Sequence, residues 1–237
     1  MIHLITACDN KYTESAEHLV FTASKHGAEK THVYRLESLP VLFLQLIGSN
    51  IKETDRPMFY IWKPYVIWDY MRSLPDGDIL IYCDAGTTVT DSILPLVRED
   101  EDVILYHNPW KHVEWCKMDV MEAINGAEWG GEDYGGMCYG YNQNKQTQAS
   151  FMIFRVNETT RNFVKEWMLY CLMPGFCDNS PSKLPNYPSF QEHRYDQAVL
   201  CCLAIKYGYK MQEIPRIDNG NAEYRCLDHH RKSNAQW

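Results

Sequence analysis

No apolar run in the chain approaches the ~20 residues that a bilayer-spanning helix needs, so no membrane span is expected. No basic segment followed by a long apolar stretch opens it either. Met1 to Thr6 is a short apolar run that leads straight to Asp9 and Asn10, unlike a secretory leader. Positive charge is scarce: 23 Lys and Arg face 31 Asp and Glu, and the formal net charge of -8 repels phosphate backbones and anionic lipid. Nucleic acid is therefore not an expected partner. An anionic ligand such as a nucleotide diphosphate would need a metal ion or a few placed cations. There is no pair of C-x-x-C units to suggest a zinc site, and the nine cysteines, with Cys201 and Cys202 adjacent, read as reduced, mostly buried thiols. Internal repeats and low-complexity segments are absent. These absences leave a globular protein of the cytoplasm as the expectation.

The 237 residues are 45% hydrophobic, enough to build the core of one α/β domain. Ile2 to Thr6 reads as a buried strand, Glu14 to His26 as a helix ended by Gly27, and His32 to Leu36 as a second strand, a β-α-β start. Pro64 is tolerated in a first helical turn, which puts Lys63 near the start of a helix running to about Leu74. Pro75-Asp76-Gly77 stops it. Asp78 to Cys83 is then a continuous apolar strand of the kind buried in a parallel sheet. Further strands are predicted over 102–107 and 148–156, and helices over 117–124, 158–171 and 195–207. The stretches 126–144 and 173–189 have no period and read as long loops, placed to act as a lid or an acceptor surface. The tail after Ile214 is polar.

Asp84 is the sharpest chemical signal. It is a carboxylate at the carboxyl end of a buried strand, followed by Ala85 and Gly86, where ligands bind in open α/β sheets. A cation is the usual ligand of such a group; the alternative is an Asp that caps the next turn. His229 and His230 in the tail are potential ligands for Mn²⁺ and similar ions, with Arg231 and Lys232 beside them for phosphate, or else are solvated. Asp196, next to Gln197, opens an almost wholly apolar helix, where it either orients a hydroxyl or complements the helix dipole. Lys63 reaches toward a diphosphate or toward solvent. Tyr12 stacks on a base or simply packs.

The order of these signals resembles the GT-A glycosyltransferases, the glycogenin-like group above all. Thr6, Ala7 and Tyr12 match that group's segment around the nucleoside, and Lys63 in Trp62-Lys63-Pro64 matches its diphosphate-binding cation. Tyr82-Cys83-Asp84-Ala85-Gly86 is similar to its metal motif, Asp196-Gln197 to its pair beside the transferred sugar, and His229 or His230 with Lys232 to its late His and Lys. A closer likeness, through Trp62 to Pro64, Tyr82 to Gly86 and Glu192 to Gln197, is to transferase-like sequences of microbes and large viruses. The resemblance covers nearly the whole chain. It implies an α/β GT-A (Rossmann-like) single domain over 1–237, with a mostly parallel central sheet flanked by helices. Residues 1–125 would form the nucleotide-sugar-binding half, and 126–237 the acceptor-binding half with a metal-binding tail. It further implies a metal-dependent glycosyltransferase using Mn²⁺ or Mg²⁺, a nucleotide-sugar donor, with UDP the commonest nucleotide and GDP the alternative, and a glycan or glycoprotein acceptor. Asp84, His229 and His230 would supply the metal ligands. One departure stands out: Gly86 occupies the place of the group's second metal-binding Asp.

Asp196 is the candidate base for an inverting reaction, whereas the resemblance favours retention. Three other readings compete. A haloacid-dehalogenase-like phosphatase would use Asp84 as nucleophile but lacks its second acid at Gly86. A nucleotidyltransferase would need a Gly-rich basic loop after the first strand, which is missing. A carbohydrate-binding relative without turnover would follow from the halved metal motif.

Overall fold

The computed structural model describes residues 1–50, 57–125 and 144–236. The expected loop at 126–144 therefore lies outside the described residues, apart from Asn144.

Strand β1, Ile2–Cys8, is buried from its second residue onward, and helix α1, Thr13–Lys25, follows it with Ala16, Leu19 and Ala23 turned inward. The helix ends as expected at Gly27, whose φ of 115° is a conformation that glycine adopts without steric cost. Strand β2, Lys30–Arg35, returns parallel to β1 and closes the first β-α-β unit. Helices α2, Val41–Asn50, and α3, Trp62–Met71, come next. Strand β3, Ile79–Cys83, is buried at all five positions and lies parallel to β1 on the side opposite β2.

The second half departs from a purely parallel sheet. Strand β5, Val103–Lys111, and the eleven-residue β6, Lys145–Arg155, run antiparallel to one another, and β6 wedges itself antiparallel against β3. Strand β7, Met211–Glu213, lines the far edge parallel to β5, giving the order β2-β1-β3-β6-β5-β7. Five of the six strands thus point one way, and the sheet is mostly parallel, flanked by helices. Helices α4, Met118–Asn125, α5, Glu158–Cys171, and α6, Tyr195–Lys206, complete that framework. Asn157 caps α5 by accepting a hydrogen bond from Thr160 N at 2.9 Å.

The polar tail conceals a structural element that its composition did not suggest. Strand β8, Leu227–Asp228, pairs antiparallel with β4, Thr88–Val89, in a second, two-stranded sheet. That pairing carries the chain end from the far edge of the molecule back to the residues just after β3.

Alternation along the sheet assigns its two faces. Leu80 and Tyr82 enter the larger core with Val66, Ile67, Phe163, Trp167 and Val199, while Ile79, Ile81 and Cys83 enter the smaller one with Leu4, Leu19 and Ile93. The eight cysteines among the described residues are all buried and none forms a disulfide. No helix among the described residues is long and apolar enough to cross a membrane.

Trp167 is fully buried and its indole N–H donates to Asp196 O at 2.9 Å, so it couples α5 to the first turn of α6. Trp167→Phe keeps most of the apolar contact and removes that donor while the carbonyl keeps its place in the α6 ladder, and we expect a loss of about 0.5–1.5 kcal/mol in urea-unfolding free energy. A loss near zero would show that α6 is positioned by packing alone.

Candidate active site

The site is assembled at the carboxyl end of β3. Asp84 is fixed there by its backbone, whose N–H donates to Ser150 O on β6 at 2.8 Å. Its side chain lies on the same face as that of Tyr82, two residues earlier, and the Tyr82 hydroxyl donates to Asp84 Oδ1 at 2.8 Å. Lys63 Nζ reaches the same oxygen at 3.0 Å and lies 3.9 Å from Asp196 Oδ2. Only 7% of the Lys63 side chain and 4% of that of Asp196 are exposed, against 31% for Asp84. Asp84 therefore faces the opening and the other two lie beneath it.

A buried ammonium survives only with charge partners and hydrogen-bond acceptors. Lys63 has both, because it also donates to Ala149 O at 2.9 Å and sits 5.3 to 5.8 Å from the ring centres of Tyr60, Trp62 and Tyr82. Ala149 is available for this because the β5–β6 register shifts between Ile104 and Tyr106, so its backbone leaves the ladder. Its N–H donates to Gln197 Oε1 at 3.3 Å, and Gln197 Nε2 donates to Gln146 Oε1 at 2.9 Å. Gln197 is thus spent on holding the off-ladder residue of β6 whose carbonyl receives Lys63.

The charges respond accordingly. Burial opposes ionisation of Asp84, but Lys63, then His229 and the Tyr82 hydrogen bond, outweigh it and hold the carboxyl below its ordinary range. Burial works against Lys63 too, and Asp84 and Asp196 together raise it. Asp196 goes the other way: burial pushes it to about 7, with Lys63 pulling down and Asp84 pushing up. Among the described residues its Oδ2 has no hydrogen-bond donor. Two carboxylates share one cation, and Asp196, the more deeply buried, carries the deficit.

The tail supplies the other wall. His229 Nδ1 lies 2.8 Å from Thr87 Oγ1, and Nε2 accepts from Arg231 Nε at 3.0 Å, so the ring proton is on Nδ1. Burial lowers the imidazole to about 4, with Asp84 opposing and Arg231 adding to the fall. His229 is therefore neutral at physiological pH. His230 faces elsewhere: its Nδ1 accepts from Lys232 N at 2.9 Å, and its charge neighbours are Asp228, Lys232 and His18. Of the two tail histidines, only His229 is grouped with Asp84.

The glycine at position 86 now has a physical reason. Its carbonyl accepts from Arg231 N at 2.9 Å, and a Cβ built on it would stand 2.7 Å from Arg231 Cα. The tail backbone fills the space that a second carboxylate would need. Arg231 takes a φ of 56° to make this approach. Asn234 fastens the tail to the β1–α1 connection by accepting from Glu14 N at 3.0 Å and donating to Asn10 O at 2.9 Å, while Ser15 Oγ donates to Lys232 O.

Thr6, Ala7, Tyr12 and Ala85 lie near that connection. Thr6 is fully buried, and its Oγ1 has no hydrogen-bond partner among the described residues. Tyr12 packs on Cys8, Ala16 and Ala85. Ala7 is enclosed in the larger core. Residues that sequence reasoning missed are Tyr82, Thr87 and the Ala149 backbone. The first was open to discovery from strand alternation with Asp84; the other two depend on pairings far apart in the chain.

Fold and site define an α/β protein with a buried lysine–carboxylate cluster at the carboxyl ends of parallel strands, where open α/β sheets bind ligands. No family model matches the sequence, and no curated protein matches it. The fold is similar to that of the apo WbbM bifunctional glycosyltransferase, with a TM-score of 0.49 and 10% identity over 90% of this chain and 38% of that one. The chain therefore spans well under half the length of that protein. Apo mouse xyloside xylosyltransferase 1 is similar with a TM-score of 0.45 and 8% identity over 90% of this chain and 85% of that chain. The galactosyltransferase LgtC, solved with donor and acceptor sugar analogs, has a TM-score of 0.45 and 14% identity over 85% of this chain and 70% of that one.

Two outcomes test this geometry. The native Asp196, at about 7, keeps its proton where an unfolded aspartate, near 3.9, has lost it. Its favourable contribution is full below about pH 4 and is lost as pH rises toward 7. Asp196→Asn should remove that decline, on the order of a few kcal/mol, from urea-unfolding free energies measured at pH 4 and 8. Equal slopes in both proteins would contradict the assignment. Gly86→Ala should displace the tail at a cost of about 1–3 kcal/mol, seen as faster tryptic cleavage at Arg231 and Lys232 before the rest of the chain is cut.

Proposed function

We propose that the chain is a glycosyltransferase that transfers a sugar from a nucleotide-diphosphate sugar, with UDP the expected nucleotide, to a glycan or other hydroxyl acceptor, with help from Mn²⁺ or Mg²⁺. The observation that carries this reading is the Lys63–Asp84–Asp196 cluster at the mouth of a mostly parallel sheet, with the neutral His229 brought alongside by the β4–β8 pairing. Such a site joins a partly exposed carboxylate, a permanent cation and a carboxyl poised near neutral pH. Those are the groups needed to hold an anionic donor and to manage a proton.

The donor set tests the metal. Asp84 keeps its described contacts on Oδ1 and its side chain is partly exposed, and His229 is neutral, the form that ligates. Its Nε2 is held by Arg231, so ligation requires that exposed arginine to turn away. One carboxylate and one imidazole fit Mn²⁺ or Mg²⁺, which take further ligands from water and substrate phosphate. Bound there, the ion would supply positive charge against the departing diphosphate. The chain's own residues do the rest. Lys63 holds Asp84 ionised and in place. Arg231 and Lys232 add cations along the diphosphate path. Tyr12 lines the nucleoside end, packed on Ala85, with Thr6 buried behind it. Asp196 accepts or holds the acceptor proton, while Gln197 keeps β6 in register beneath the sugar.

A second reading has its own observation. Gly86 is closed off by the tail backbone, which leaves one carboxylate where two would clamp a metal, so a carbohydrate-binding relative without turnover is the alternative.

Calorimetric titration with UDP and GDP, with and without Mn²⁺, separates the two. We expect Mn²⁺-dependent binding of one nucleotide, a loss of at least about tenfold in affinity in Asp84→Asn, or about 1.4 kcal/mol, and slow hydrolysis of one nucleotide sugar. Equal nucleotide affinity in wild type and variant would overturn the metal assignment. No binding under any condition would favour the carbohydrate-binding alternative.

A further inference from the structure

Farther along α6 from the cluster above, three soft ligands meet without any part in that chemistry. His112 sits just after β5, Cys116 one turn later, and Cys202 comes from α6; all three are 0% exposed. His112 Nε2 lies 3.2 Å from Cys202 Sγ, and the two sulfurs are 3.7 Å apart. All three ligand atoms lie within 4.8 Å of one another. Bonds of about 2.3 Å to sulfur and 2.0–2.1 Å to imidazole nitrogen at tetrahedral angles require ligand separations of about 3.5–3.8 Å. The His112–Cys202 and Cys116–Cys202 spacings differ from those by a few tenths of an ångström at most, which small side-chain rotations absorb, and the His112–Cys116 spacing lies within 4.8 Å. The ligands are also held from behind: His112 N donates to Asn144 O and Trp115 N to His112 O, both at 2.9 Å, which closes the turn that carries His112 and Cys116.

We propose that His112, Cys116 and Cys202 form a buried structural site for a thiophilic d¹⁰ cation of the zinc class. Two thiolates and an imidazole select such ions over Mg²⁺ and Mn²⁺, which prefer oxygen. The site staples the end of β5 and the start of α4 to α6, the helix whose first turn carries Asp196. Full burial means that the ion enters while the chain folds, with the two thiol protons released to solvent. The site stands independently of the transferase reading, since it shares no residue with it.

Elemental analysis of protein purified without chelator should find about one zinc or copper per chain, kept through chelator dialysis of the folded protein and released on unfolding. Wild-type protein refolded with Co²⁺ should show thiolate-to-cobalt charge-transfer absorption in the near ultraviolet. Cys202→Ser should lose that absorption, whereas the Asp84→Asn, His229→Ala double variant should keep it, which distinguishes this site from any metal at the tail. The wild-type spectrum does not depend on whether a variant folds. A metal-free chain with no cobalt–thiolate absorption, or a Cys116–Cys202 disulfide found by mass spectrometry of the native protein, would overturn the proposal.

Discussion

A buried ammonium is the constraint on which this molecule is organised. Lys63 is removed from water, and it is tolerated only because Asp84, Asp196 and the Ala149 carbonyl converge on it. Those partners come from the end of β3, the start of α6 and an off-ladder point of β6, so one cation fixes three elements that are distant in sequence. Strain accumulates where the chain bends to allow this. Met58, Phe59 and Tyr60 take φ of 48°, 46° and 60° just before α3, and Tyr195 takes 47° just before Asp196. Non-glycine residues seldom adopt such angles, and where several do, surrounding contacts must hold them. Here the Phe59 and Tyr195 rings meet at 4.8 Å, tying the two strained segments together across the cluster.

The same economy governs the tail. A chain end of ordinary polar composition gains a defined path from two β4–β8 pairs, from Gly86 and from the Asn234 contacts with Glu14 and Asn10. Gly86 is the tightest of these, since any side chain there meets backbone rather than a movable group. The loss of a second acid and the placement of His229 are therefore one structural fact. The backbone that delivers the imidazole occupies the volume of the missing carboxylate.

Much of this was legible in the sequence, for reasons that are local. A five-residue apolar strand ending in Asp84, a proline one position after Lys63, and an apolar helix opened by Asp196 each announce themselves within a dozen residues. Their meeting does not, because it depends on which strand lies beside β3, and the antiparallel insertion of β6 has no local signature. Gln197 shows the limit well: adjacent to Asp196 and similar to a sugar-binding pair, it turns its amide onto the Ala149 backbone and Gln146 instead. His229 and His230 are indistinguishable by composition, and only the pairing of Leu227–Asp228 with Thr88–Val89 turns one toward Asp84 and the other toward His18. The His112–Cys116–Cys202 group escaped notice because its third member is distant in sequence, so no spacing rule finds it.

The charge arithmetic of the cluster explains why Asp196, rather than Asp84, is the group poised near neutrality. Lys63 leans on Asp84 at 3.0 Å and stands 3.9 Å from Asp196, and the latter is the more deeply buried, so desolvation and incomplete pairing act on the same carboxyl. Its proton substitutes for the second cation that the site lacks. The lysine between the two carboxylates is itself positioned by a strand carbonyl that does not titrate. Replacing that lysine by a neutral side chain leaves the carboxylates facing each other without a counter-charge, so the stability of the cluster rests on that one ion.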